Sequence, residues 1–99
     1  MEVVNDPRLE YFSLLFAVGW SPVGVAANTS AEQDLTVTGV KLGDVISVNK
    51  PTAQAGLGVV GARVSAADTV SVTFGNFTAA TPITPTASET YSFLVVRAK

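Results

Sequence analysis

The chain has 99 residues, of which 47% are hydrophobic and 14% are charged, and its formal net charge at pH 7 is −2. Without cysteine or histidine, it can form no disulfide and lacks the usual ligands of zinc, iron–sulfur and haem sites. Ser-His-Asp and Cys-His catalysis within the chain is also excluded. The six basic residues are scattered singly, which argues against nucleic-acid binding. We therefore expect a non-enzymatic protein with no cofactor and no metal.

The hydrophobic content is high for so short a chain. A domain of this size has much surface and a small interior, and its charged fraction lies below the roughly 25% of an average soluble domain. One core is therefore too small to hide all the apolar side chains. The surplus predicts burial against other copies of the chain or against another protein, as a homo-oligomer that could be a dimer or a trimer.

Residues 1–22 are predicted to form an N-terminal arm or a short helix. An Asn-Asp-Pro sequence at residues 5–7 is typical of a helix N-cap, and apolar residues then follow near helical spacing. The alternate apolar residues from Phe12 to Val18 also fit a strand. The apolar run is too short for a membrane-spanning helix, and acidic residues in and before it argue against a signal peptide. We expect no membrane partner.

Residues 23–99 are predicted to form an all-β domain, a β-sandwich of the jelly-roll kind. The segment Thr69–Phe74 alternates polar and apolar residues without a fault, with Val70, Val72 and Phe74 on one face. Residues 34–38 and 44–49 alternate in the same way. Residues 57–64 and 91–96 are apolar on both faces, which indicates central strands or strands covered by a partner.

The sequence GLGVVG places Gly56, Gly58 and Gly61 in the pattern of a dinucleotide-binding turn. The pattern lacks its context, because no amphipathic helix follows and no acidic residue stands about twenty positions later. We interpret the glycines as part of a strand, where they allow a bend or the close approach of a neighbouring subunit.

Other candidate sites are weaker. Five acidic residues stand beside turn signals, where a solvated or capping carboxylate is the usual case; they are Glu32, Asp34, Asp44, Asp68 and Glu89. Two Asn-X-Ser/Thr triplets, the N-glycosylation motif, begin at Asn28 and Asn76, and we interpret both as chance matches. Arg63 lies within an apolar strand, where it could pair with a carboxylate at an interface or face solvent from an edge strand.

Several segments resemble small β-rich structural proteins of tailed bacteriophages. The segments that carry the resemblance are AANTSAEQ (Ala26–Gln33), VTGVKLGD (Val37–Asp44), NKPTAQAGLGVVGARVSA (Asn49–Ala66) and ITPTASETY (Ile83–Tyr91). Similar segments recur in phage head decoration (cement) proteins and in modules of phage fibres. The resemblance implies a jelly-roll or sandwich fold, an oligomer, and attachment to a virion. It brings no catalytic residues.

The favoured function is capsid decoration, in which the protein lies on the capsid surface of a virion and bridges copies of the phage major capsid protein. The residues expected to bind a sister subunit or the capsid are Tyr11, Phe12, Leu14, Leu15, Phe16, Trp20 and Arg63. The alternative is a fibre or receptor-binding module that presents the loop Gly75–Glu89 to a host surface. A small enzyme that works with carboxylates alone is the least favoured hypothesis.

Overall fold

The computed structural model describes residues 1–3 and 8–98 of the chain. Its secondary structure is all β, with no helix among the described residues. The strands are β1 (Leu9–Trp20), β2 (Thr29–Thr36), β3 (Val45–Asn49), β4 (Leu57–Ala66), β5 (Thr69–Asn76) and β6 (Glu89–Ala98).

The six strands form two antiparallel sheets of three strands each. The first sheet has the order β1-β6-β3, and the second sheet has the order β2-β5-β4. Only β4 and β5 are consecutive neighbours in one sheet; every other connection crosses from one sheet to the other. This arrangement confirms the all-β prediction and is compatible with a β-sandwich.

The core lies between the sheets and is built from the inward side of each strand. The alternation predicted for β5 is confirmed, since Val70, Val72 and Phe74 are all fully buried. On β6, the central strand of the first sheet, Tyr91, Phe93 and Val95 are equally buried. The remaining buried hydrophobic residues are Val25, Leu35, Val37, Val40 and Val64.

The predicted short helix near the N-terminus is wrong, because residues 9–20 form the 12-residue strand β1. The apolar alternation prevails over the helical spacing, since β1 can pair with β6 over its whole length, from Leu9 opposite Ala98 to Trp20 opposite Glu89. This pairing adds cross-strand side-chain contacts and packing against the core, which an isolated helix lacks. The cap expected at residues 5–7 lies outside the described residues.

A bulge near the end of β1 sets the direction of its last side chain. Between Ala17 and Trp20 the register shifts, so that one extra residue lies on β1, and Gly19 there adopts a φ of 70°. Trp20 therefore faces the core instead of continuing the outward row. Its ring packs 4.9 Å from the Tyr91 ring and 5.8 Å from the Phe74 ring, measured between centroids.

Candidate interaction surface

The outward side of β1 is apolar and open to solvent. Phe12, Leu14, Phe16 and Val18 alternate with inward-facing residues, and between 55% and 83% of their surface is exposed. Strand alternation places these four side chains on one side of the sheet. An edge strand this long with an exposed apolar side is a typical site of association with another chain.

The apolar surface continues across the first sheet. The strand register puts Phe12 beside Val96 and Leu14 beside Leu94, and on the far side of β6 it puts Val45 beside Val96. Val45 is 69% exposed. Farther along β3 the surface becomes polar. We call this outward surface the apolar face, and its residues are Phe12, Leu14, Phe16, Val18, Val45, Leu94 and Val96.

The exposed area of the apolar face is large for a protein of this size. With about 200 Å² for a large aromatic side chain and somewhat less for Leu and Val, the exposed fractions amount to roughly 600 Å². This equals the upper end of the largest apolar patch on a typical monomer, about 300–600 Å², and approaches the roughly 800 Å² that each partner buries in a stable complex.

The outward side of the second sheet has the opposite character. In its cross-strand rows Glu32 lies beside Thr73, and Ser71 lies between Asp34 on one side and Arg63 on the other. The Ser71 Oγ donates to Asp34 Oδ1 at 2.5 Å and lies 2.8 Å from Ser65 Oγ. We call this surface the polar face. Apart from Val60 and Phe77, which are exposed beside Gly75, this surface is polar, so the two outer sides differ in chemical character.

The structure divides the residues predicted to bind a partner. Phe12, Leu14 and Phe16 lie on the apolar face, where they are free to make contacts. Tyr11, Leu15 and Trp20 point inward instead and pack against the core. The guanidinium carbon of Arg97 stands 4.6 Å from the centre of the Tyr11 ring, so Tyr11 also has a partner within the chain.

Arg63 lies apart from the apolar face, on the polar face of β4. It makes a bidentate pair with Glu32, with Nε 2.8 Å from Oε2 and Nη2 2.9 Å from Oε1. This hydrogen bond lowers the pKa of the Glu32 carboxyl. Arg63 is exposed on an edge strand and already has a carboxylate partner within its own chain. Its predicted contact with another subunit stays a prediction.

Four residues of the apolar face were not among those expected to bind, namely Val18 on β1 and three residues on the other two strands of the sheet. Val45, Leu94 and Val96 belong to β3 and β6, and only the long-range strand register brings them beside β1. The sequence carried one signal for Leu94 and Val96, because residues 91–96 are apolar on both faces and therefore suggest a covered second face.

The glycines of GLGVVG have roles within the chain. Gly56 adopts a φ of 81° in the turn before β4. A Cβ on Gly58 would meet the Phe77 ring at 3.2 Å, and one on Gly75 would meet it at 2.8 Å. The two glycines thus form a hollow in which the Phe77 ring lies. Gly61 follows a bulge in β4 and has open space beside it. The close approach at Gly58 and Gly75 is therefore made by a ring of the same chain.

A buried ion pair joins the loop after β3 to the start of β6. Lys50 Nζ lies 3.0 Å from Glu89 Oε1, and the Thr52 hydroxyl donates to Glu89 Oε2 at 2.5 Å. The hydrogen bond from Thr52 and the charge of Lys50 lower the pKa of Glu89. Burial, with the nearby charge of Glu89, raises the pKa of Tyr91 to about 12. A cavity of about 210 Å³ opens beside Lys50 and Thr52.

The ion pair of Lys50 and Glu89 is part of a set of contacts that fixes a loop in place. The Lys50 ammonium also donates to the Thr52 carbonyl at 2.8 Å and to its hydroxyl at 3.1 Å, so its donors are engaged within the chain. The Gln54 side chain bonds the backbone of Thr84 and Thr86 in the loop that precedes β6. These contacts hold the loop of residues 50–56 against the sandwich.

Across residues 1–3 and 8–98, no three Asp, Glu, His or Cys side chains come together in a group able to hold a metal ion. The same part of the chain contains no helix long and apolar enough to span a membrane.

No family model matches this chain, and no curated protein or solved structure is significantly similar to it. The likeness to phage structural proteins therefore stays a prediction from the sequence.

Proposed function

We propose that this chain is a non-enzymatic structural protein of a bacteriophage virion, which decorates the capsid and stabilises it by bridging capsid subunits. The observation that carries the proposal is the apolar face, an outer sheet surface of roughly 600 Å² that is left open to solvent in a single copy. Such a surface is expected of a protein whose final contacts exist only in an assembly. The segments between residues 23 and 97 that resemble phage structural proteins indicate that this assembly is a virion.

The proposal includes a jelly-roll type of sandwich. A jelly roll can be described as an antiparallel ribbon wrapped around a barrel, so that strands pair from the ends inward across two sheets. Here β1 pairs with β6, β2 pairs with β5, and β3 lies against β4 where the two sheets meet. This nested order supports a jelly roll of six strands, two fewer than the usual eight.

The mechanism of stabilisation is mass action. A protein that binds the assembled shell, and not its separated subunits, raises the free energy needed to take the shell apart. Bridging further requires that one decorating unit contact two capsid subunits at once. A rigid sandwich suits this role, because the wrapped pairing fixes the positions of its loops relative to one another.

The test is to find the protein in particles. Virions of the phage or prophage that carries this sequence are purified, their proteins are identified by mass spectrometry, and the particle is imaged by electron cryo-microscopy. The proposal predicts many copies on the outer capsid surface, and a lower disruption temperature for capsids that lack the protein. Absence of the chain from purified particles would contradict the proposal.

A fibre or receptor-binding module is the second candidate, and Phe77 is the observation that favours it. This ring is 73% exposed although it lies in the hollow formed by Gly58 and Gly75, so it is both fixed in place and accessible. Fixed exposed aromatic rings are typical of binding sites. Loss of host adsorption in Phe77→Ala, with unchanged capsid stability, would favour this function over decoration.

A further inference from the structure

From the apolar face we infer that a second copy of the chain covers it, so that two first sheets pack face to face around a twofold axis. This inference deepens the proposed function, on which it rests for the use of the face in assembly, by naming the partner of that face. The resulting dimer has four sheet layers, with the two apolar faces in the middle and the two polar faces outside.

Charge is the first argument for a second copy. Around a twofold axis every residue of the contact meets the same surface of the other subunit, so a charged face would repel itself. The paired rows of the apolar face that run from Phe12 to Phe16 contain no charged side chain. Among the described residues, the charged side chains lie outside these rows. The apolar face can therefore pack against the same face of a second copy without charge repulsion.

Area and shape are the second argument. The roughly 600 Å² of exposed apolar side chain, with the flanking Ser and Asn residues of β3 and β6 as a polar rim, comes close to the roughly 800 Å² per partner of a standard interface. Two sheets stack well at a separation of about 10 Å, with their side chains interdigitated. Leu14 and Leu94 are neighbours near the middle of the face, where they are placed to form the centre of such a contact.

A twofold dimer also explains how so small a protein bridges two capsid subunits. Each copy keeps its own loops and its polar face, so the dimer presents every remaining binding surface twice. A single copy presents each surface once. The apolar face then holds the bridge together, and other surfaces contact the capsid.

The experiment measures the mass of the full chain by light scattering and by sedimentation over a range of concentrations. We expect a species of twice the 10.2 kDa chain mass. Leu94→Glu places a charge at the middle of the face and is expected to weaken the dimer about thirtyfold or more. Thr36→Glu adds the same charge on the polar face and is the matched control, which is expected to stay dimeric.

The choice of Leu94 separates face-to-face packing from an alternative. Two copies could instead pair edge to edge through β1, and Leu94 lies on the central strand β6, away from that edge. A dimer that survives Leu94→Glu would therefore overturn the inference. Val18→Glu is the second variant, because Val18 is 83% exposed and its replacement leaves the core intact. It is also expected to weaken the dimer.

The remaining outcomes are equally decisive. A wild-type chain that stays monomeric at every concentration, or that forms a trimer, would overturn the inference. These results are independent of the particle experiment. A dimer that is absent from virions would contradict only the proposed function, and a monomer that is found on capsids would contradict only the dimer.

Discussion

Glu89 carries its charge inside the sandwich, 8% exposed, with Lys50 and Thr52 as its partners. Because the hydrogen bond from Thr52 and the charge of Lys50 lower the pKa of Glu89 in the folded protein, the unfolded chain binds a proton more readily. The stabilisation from this lowered pKa is complete above the ordinary glutamate pKa of 4.5 and is lost as the pH falls through the folded-state value.

The prediction concerns Glu89→Gln, which removes the titrating group and keeps an acceptor for Thr52. The free energy of unfolding, measured with urea between about pH 7 and about pH 3, is expected to fall less steeply with acid in the variant than in the wild type. Glu2→Gln, at an exposed residue outside the strands, is the control for the loss of one negative charge. Parallel curves for wild type and Glu89→Gln would show that Glu89 is not linked to folding.

Asn76 is a second residue whose role is structural. Its buried amide donates to the carbonyls of Val25 and Thr81, both at 2.9 Å, and its Oδ1 accepts from the backbone N–H and the hydroxyl of Thr78. The Asn-X-Thr triplet in the sequence thus marks a loop anchor. With a fully occupied side chain, Asn76 is a poor acceptor for a glycan.

We predict that Asn76→Ala lowers the free energy of unfolding by about 2–3 kcal/mol, because it removes the four hydrogen bonds of a fully buried side chain and leaves a space where the amide packs. Urea denaturation measures the change. Asn49→Ala is the matched control at an exposed position of β3, and its effect is expected to stay within about 0.5 kcal/mol. Equal effects at the two positions would contradict the role given to Asn76.

At the scale of strands, the bulge at Gly19 decides which side of β1 faces the core at its end. A Cβ on Gly19 has nothing within 4 Å, so the cost of a substitution there comes from its φ of 70° alone. We predict that Gly19→Ala costs about 1–2 kcal/mol in the free energy of unfolding. It is also expected to change the fluorescence of Trp20, which the bulge turns inward.

Gly61→Ala is the control for this prediction. Gly61 also has open space around its Cα, but it does not have the positive φ of Gly19. Its replacement is expected to be neutral or slightly stabilising, because alanine loses less backbone entropy on folding. If Gly19→Ala proves as harmless as Gly61→Ala, the bulge is not what holds Trp20 in the core.

How much of each strand could be predicted depends on where its information lies. The alternation of residues 69–74 predicts β5 and its buried side correctly, since one strand with one apolar side suffices for that inference. In β1 nearly every residue is apolar, so the side that faces the core is set by pairing with β6, 69 or more positions away along the chain. The partner of Arg63 could not be predicted from its local sequence either, because Glu32 is 31 positions away along the chain.

The candidate surface was predictable in part for the same reason. The hydrophobic surplus and the row at Phe12, Leu14 and Phe16 could be read from the sequence. The apolar run of residues 91–96 indicated that Leu94 is covered, but its place beside Leu14, and the contribution of Val45, could not be predicted because they require the register of three strands. That register also shows that Tyr11, Leu15 and Trp20 are used by the core.

For the whole molecule, we propose that the apolar face is covered when the protein is assembled. Mutations on the polar face should leave the dimer unchanged, whereas mutations on the apolar face should weaken it. The contrast follows from where apolar side chains stay exposed. The outer side of the first sheet presents six exposed large hydrophobic residues on three strands, whereas the outer side of the second sheet presents Val60 and Phe77.

The most direct test is hydroxyl-radical footprinting of the full chain, with phenylalanine side chains as the reporters. Phe12 and Phe16 are 65% and 59% exposed in a single copy, and Phe77, at 73%, is the reference within the same chain. In the assembled protein we expect Phe77 to be oxidised while Phe12 and Phe16 are protected, and we expect that protection to be lost in Leu94→Glu. Oxidation of Phe12 and Phe16 at the same rate as Phe77 in the assembled protein would contradict the account.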